Sequence, residues 1–374
     1  MLDLRTIPIF DHHAHPLLPA EATAVPQTFQ RWFTESSDPL VHKRDTPHSL
    51  FLRSGVRWLA EFLDCEATLE AVLEARGQRP YTQWINALFK DARIEHVLCD
   101  YGYLSDDGYD AEKMQAVLPC PVQPILRIES LAEKLICEQA AFFTFVEAFQ
   151  EALSKAQAEG IVAYKSIVAY RSGLEVKRPS TRDAHDAFNR LKEIANCSDN
   201  VRLDDKPLND FLLGIMVEEA ARQQMPIQFH TGFGDQDADL RTANPLELRS
   251  LIEQTDAPLV LLHAGWPYYR ELAHLTAVYP HVYIDLSLAI PFATTGIPTM
   301  LRDILGMTPL NKILFATDAF TMPEIYWLAA RWGRWGLSKV LTEFVAEGFL
   351  TQSEALHTAE AILFANARNL YQQK

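Results

Sequence analysis

The sequence predicts an α/β fold, a closed (β/α)8 TIM barrel with a helical insertion after its first strand. Eight short apolar runs recur along the 374 residues, at 7–10, 96–99, 122–126, 161–166, 227–229, 259–262, 282–286 and 313–316. Each is near-continuously apolar and rich in β-branched residues, as expected for strands buried on both faces of a parallel sheet. Between them lie helix-length amphipathic stretches such as 131–160, 208–224, 245–254 and 268–279. Eight strand-then-helix units in order fit a closed barrel better than an open sheet.

Such a barrel needs roughly 250 residues, so over about 100 are surplus. The largest surplus, 16–93, separates the first two strands and holds helical patterns at 48–63 and 67–73 with Trp32, Trp58 and Trp84. It reads as a helical insertion or cap over the C-terminal mouth of a single domain spanning 1–374, the alternative being a peripheral bundle remote from the site. A second insertion, 172–204, follows the fourth strand and is polar, with a basic run at 177–182. After the eighth strand, 323–374 reads as three helices that close the barrel.

A hydrophobic content of 48% supplies a sizeable core, which excludes a disordered or fibrous chain. Lys and Arg number 34 against 49 Asp and Glu, a net charge of −15. That balance argues against nucleic acid or an anionic membrane as partner. No stretch approaches the roughly 20 apolar residues of a membrane helix. The first ten residues lack the basic region and long apolar run of a signal peptide. Five scattered cysteines without a CxxC (Cys65, Cys99, Cys120, Cys137 and Cys197) fit reduced core residues. The expectation is a cytoplasmic protein acting on a small-molecule substrate. The aromatic-rich insertion offers surface for a homo-oligomer.

In barrels of this kind, catalytic groups sit at the C-terminal ends of strands. The first run leads into Asp11-His12-His13-Ala14-His15, and alternation along an extended segment puts His13 and His15 on one face. The fourth ends at Tyr164-Lys165-Ser166, the fifth leads into His230, the sixth into His263 and the eighth into Asp318. His42, His48, His185, His274 and His357 fall instead in loops or helical patterns. One such histidine is ordinarily structural. Four histidines and an aspartate converging on one rim point to a divalent metal. Imidazole and carboxylate donors suit zinc, with manganese, iron or nickel as alternatives.

With these residues in place, the chain resembles the amidohydrolase superfamily of metal-dependent TIM-barrel enzymes, over nearly its whole length. The resemblance rests on Asp11-His12-His13-Ala14-His15, Lys165, His230, His263 and Asp318. The wording around Tyr164–Leu174, His230–Asp235 and His263–Pro267 is similar to the amidohydrolase-2-like branch. That branch includes amidohydrolase domains found alone or fused to glutamine synthetase-like domains. The resemblance implies that His13, His15 and Asp318 bind one metal. In two-metal members His230 and His263 bind a second, bridged by a carboxylated lysine at the place of Lys165. In one-metal members His230 joins the first set and His263 acts as acid/base.

Lys165 beside a metal must be neutral or carry a carbamate, because an ammonium would repel the cation; otherwise it points past the metal to a substrate carboxylate. Asp318 is expected to move the proton of an activated water to the leaving group. His263, if not a ligand, would stabilise the developing oxyanion. Arg127 is expected to hold a substrate carboxylate, the alternative being an internal pair with Glu129. Tyr170 and Arg171 follow Lys165 closely enough to line the same wall. Trp266, after His263, is a further candidate substrate contact, with a rim position as its alternative, and Arg241 lies in the loop after His230. Asp285, beside Ser287, either hydrogen-bonds a ligand histidine or plays a plain structural role.

The reaction expected is metal-dependent hydrolysis of an amide-like C–N bond, not a peptide bond, in a small carboxylate-bearing substrate. A γ-glutamyl amide is one candidate, through the resemblance alone. The rival readings are a nonoxidative decarboxylase of the same branch, using one metal, and a non-catalytic sensing domain.

Overall fold

The computed structural model describes residues 1–103, 107–198 and 201–372. Eight parallel strands follow one another around the sheet in sequence order. They are β1 (Ile9–Ala14), β2 (Ile94–Asp100), β3 (Val122–Arg127), β4 (Tyr164–Ser166), β5 (Ile227–Phe229), β6 (Leu259–Leu261), β7 (Val282–Asp285) and β8 (Ile313–Leu314). All eight expected runs are strands. The segment after β8 bonds back to β1: Asp318 N–H donates to His13 O (3.0 Å), His15 N–H to Ala319 O (2.7 Å) and Leu18 N–H to Thr321 O (2.8 Å). These bonds close the barrel, as a (β/α)8 fold requires.

Phe10, Leu98, Ile125, Val260 and Leu314, from five strands, and Ala163, just before β4, pack together with Ala367 and Tyr371 of the last helix, Asn366–Tyr371. One helix from the chain's end thus plugs the barrel. The long helix Pro323–Ala346 lies tight against the outside, with Gly333 facing Phe315 and Gly336 facing Ile297. A Cβ at either position would overlap these side chains, so glycine permits the approach.

Residues 16–93 divide between two environments. Helices Leu50–Leu63 and Tyr81–Ala92 are amphipathic and lie against Pro323–Ala346. Trp58 meets Trp332 with ring centroids 4.5 Å apart, and Phe62 meets Trp327 at 5.4 Å. Trp84 Nε1 donates to Glu324 Oε1 at 2.7 Å, and Arg76 pairs with the same oxygen at 2.6 Å. Trp32, Glu35 and His42 instead line the cavity described next. Among the described residues, no helix is long and apolar enough to cross a membrane.

Candidate metal centre and active site

The strand ends deliver the side chains to one place. His13 and His15 extend from β1, and their Nε2 atoms lie 3.1 and 3.3 Å from Asp318 Oδ1. One donor atom from each of the three lies within 4.8 Å of the others. The aspartate is held there by the barrel's closure. Asp11 accepts from Thr317 N (2.9 Å) and Thr317 Oγ1 (2.5 Å), tying β1 to the turn that carries Asp318. Asp318 has φ 49° and His263 φ 64°. This left-handed conformation costs roughly 1–2 kcal/mol per non-glycine residue. It persists because each amide is captured, Asp318 N by His13 O at 3.0 Å and His263 N by Asp285 Oδ2 at 3.1 Å.

Hydrogen-bond directions show what the cluster lacks. His15 Nδ1 faces the Asp100 carbonyl at 3.2 Å, and a carbonyl only accepts, so that nitrogen carries the proton. The Nε2 lone pair then points at Asp318 Oδ1, itself without a hydrogen-bond donor. His230 Nε2 likewise faces the Phe233 carbonyl at 3.1 Å, which turns its Nδ1 lone pair toward His263 Nε2 at 2.9 Å. Ser287 Oγ sits 2.8 Å from His263 Nδ1 and donates its own proton to Asp285, so His263 Nδ1 carries a proton and its Nε2 a lone pair. Acceptors facing one another at these distances require a positive charge between them, a proton or a metal ion. Burial disfavours the proton: it lowers His13 to about 3 and His263 to about 4, and holds His230 well below the imidazole range. Although buried, Asp318 stays well below the carboxylate range because His263, His13 and His15 surround it. Neutral imidazoles beside an ionised carboxylate are the state that binds a divalent cation, so the residues fit one.

Lys165 reaches the centre from β4. Its Nζ lies 3.4 Å from His13 Nε2, and burial lowers it to about 8. Above the cluster opens a cavity of about 470 Å³, lined also by Tyr170, Arg171 and Arg127. The Tyr170 ring packs tilted against His230, with centroids 4.1 Å apart. The Arg171 Nε and Trp32 Nε1 donors are buried without a hydrogen-bond partner.

Arg127 lines the cavity and is also paired within the protein: its Nε and Nη2 donate to Asp100 Oδ2 at 2.9 and 2.6 Å. The partner is Asp100, not Glu129, because Asp100 ends the neighbouring strand at the same level. Glu129 accepts instead from Ser166 Oγ (2.6 Å) and Ile167 N (3.0 Å). Trp266 does not line the cavity; it is 37% exposed and meets Phe233 edge-on. Arg241 pairs with Asp239 on the surface. Asp285 bonds the backbone of His263 and the ring of His12.

Sequence reasoning missed Asp100, Glu35 and His42. Glu35 lines the cavity, and burial raises its carboxyl to about 8. Asp100 ends a strand, so the rule that found Lys165 would have found it. Glu35 and His42 lie in the insertion, where no periodicity or motif points to a cavity.

An eight-stranded barrel with neutral histidines and an ionised aspartate converging at its C-terminal mouth defines a metal-centred α/β-barrel protein. The family model described as Amidohydrolase matches residues 199–372. A crystal structure from Lactobacillus casei, provisionally described as a metal-dependent hydrolase, is 30% identical over 99% of this chain and 96% of its own, with a TM-score of 0.89. The chain belongs to the amidohydrolase family. A uronate isomerase from Thermotoga maritima shares the fold, with a TM-score of 0.69 at 14% identity over 98% of this chain and 95% of its own. Protein fluG of Emericella nidulans is 30% identical over 99% of this chain; the chain spans 46% of that relative's length.

Proposed function

We propose that the protein is a metal-dependent hydrolase that cleaves an amide-like C–N bond in a small carboxylate-bearing substrate. The observation that carries this reading is the convergence of acceptors, His15 Nε2 on Asp318 Oδ1 and His230 Nδ1 on His263 Nε2. His13, His15 and Asp318 would hold one cation and His230 and His263 a second, with zinc favoured by the donor set. When bound, such a cation polarises a carbonyl and lets water ionise near neutral pH.

Asp318 lies 3.1 Å from His13 Nε2 through Oδ1 and 3.5 Å from His263 Nδ1 through Oδ2. It takes the proton of the attacking water and returns it to the leaving nitrogen. Lys165, buried against His13, would bridge the two sets as a carbamate, the form that replaces repulsion of a cation by attraction. Tyr170 and Arg171 form the wall that a substrate carboxylate approaches; Arg171 pairs with Glu133 through Nη2 at 3.4 Å and keeps its Nε donor for an anion. A γ-glutamyl amide fits that description, and the likeness to protein fluG makes it the first compound class to screen.

One observation favours a second reading, nonoxidative decarboxylation. Burial lowers Lys165 only to about 8, so an unmodified Lys165 that points past a single metal keeps a charge that holds a substrate carboxylate. Turnover of amides and γ-glutamyl compounds, followed by amine release, tests the first reading. Carbon dioxide release from an unsaturated or aromatic acid, with no amide turned over, overturns it.

A further inference from the structure

The last helix reaches the candidate metal centre through a buried chain of hydrogen bonds. Tyr371, at the barrel's plugged end, stacks on His12 with ring centroids 5.5 Å apart. Its Oη lies 2.9 Å from Gln228 Nε2 and 3.3 Å from His12 Nδ1. The second proton of Gln228 Nε2 goes to His12 O at 2.8 Å. His12 Nε2 faces Asp285 Oδ1 at 3.0 Å, with both side chains fully buried. Asp285 Oδ2 accepts from the His263 amide and from Ser287 Oγ, which touches His263 Nδ1.

Donor and acceptor chemistry gives this chain one consistent direction. A carboxylate only accepts, so His12 donates through Nε2 and offers a lone pair at Nδ1. Tyr371 fills that lone pair with its hydroxyl proton, while its oxygen accepts from Gln228. From the other side Ser287 donates to Asp285, so its oxygen accepts the His263 Nδ1 proton. Every member is then satisfied except Gln228 Oε1, which has no partner. None of these side chains except His263 lines the cavity.

We propose that Tyr371, His12 and Asp285 are positioning residues that act through Ser287 to keep the proton of His263 on Nδ1 and its Nε2 lone pair aimed at His230. The far end of the chain, remote from any substrate, thereby helps set the state of a residue at the centre. The proposal rests on the metal reading only for what His263 then binds; its tautomer is a property of the polypeptide alone.

The test uses the full-length protein labelled with ¹⁵N-histidine, with His263 assigned through His263→Gln. Long-range ¹H–¹⁵N spectra of metal-free protein report which ring nitrogen is protonated, and competition with a chromophoric chelator gives the zinc Kd. Wild type is expected to show Nδ1-protonated His263. Ser287→Ala, Asp285→Asn and Tyr371→Phe should each shift His263 toward a tautomer mixture. Each should weaken zinc binding, by about 100-fold for Ser287→Ala down to about tenfold for Tyr371→Phe, within the usual range for residues behind a ligand. General destabilisation lowers stability without moving the His263 proton, so the tautomer readout separates the two. Nε2 protonation in wild type, or an unchanged tautomer and zinc Kd in both Tyr371→Phe and Ser287→Ala, would overturn the proposal. A wild type that shows the Nδ1 tautomer but binds no zinc would sink the metal reading and leave the relay standing.

Discussion

Replacing Arg127 with Met removes the guanidinium that holds the Asp100 carboxylate. The carboxylate is fully buried, the guanidinium 8% exposed, and two bonds of 2.9 and 2.6 Å join them. Removing one partner of a buried pair strands the other charge and costs about 3–5 kcal/mol. For 374 residues, with an unfolding entropy of about 2.1 cal/mol/K per residue, that lowers Tm by about 4–6 °C. The pH dependence carries a sign. Chiefly through Arg127, Asp100 sits below its ordinary value of 3.8. Its contribution in the wild type is therefore present above the unfolded value and lost only as pH falls through the folded one. Without Arg127 the folded value rises, so the gap between wild type and variant is widest near pH 7 and narrows as pH falls toward 4. The double variant Arg127→Met/Asp100→Asn should recover most of the loss. Urea unfolding at pH 7, 5.5 and 4.5 measures all of this. A single-variant loss below about 1 kcal/mol, or a gap constant with pH, would refute the buried-pair reasoning and return Arg127 to the substrate.

Three further outcomes are expected. Asp318→Asn should lower kcat about 100- to 10,000-fold on any amide the protein turns over, the usual worth of a positioned proton carrier; wild-type kcat in that variant would remove Asp318 from proton transfer. Metal-free protein should lose stability as pH falls from the unfolded imidazole value of 6.5 toward the His263 value of about 4. The unfolded chain binds more protons in that window, worth about 3 kcal/mol for this group alone, and a flat profile from pH 6.5 to 4 in urea titrations would contradict it. Gly234→Ala places a methyl where the Tyr170 hydroxyl now lies. It should displace Tyr170 from His230 and raise KM while zinc content by elemental analysis stays unchanged; an unaltered KM would remove Tyr170 from the substrate wall.

The strands were legible because both their faces are buried, which leaves an apolar run that no solvent-facing residue interrupts. His13, His15, Lys165, His230, His263 and Asp318 were legible because a parallel barrel exposes the residue just past each such run at one end. Arg127 was placed at the cavity, but the internal pair weighed as its alternative named Glu129 in place of Asp100. Its partner Asp100 comes from the neighbouring strand, and register between strands is not written in either one. Glu35 and His42 escaped because the stretch that carries them has a path set by the barrel beneath it, not by a period of its own. The role of Tyr371 depends on a helix returning through the barrel to His12, a contact across 359 residues.

The central claim is that the strand ends hold a divalent cation through His13, His15 and Asp318. Elemental analysis of protein purified without chelator, and again after incubation with zinc or manganese, tests it most directly. The account predicts at least one equivalent per chain, about two if Lys165 bridges, with at least one equivalent lost in His13→Ala and in Asp318→Ala. A reproducible zero in the wild type, or full occupancy in both variants, would contradict it.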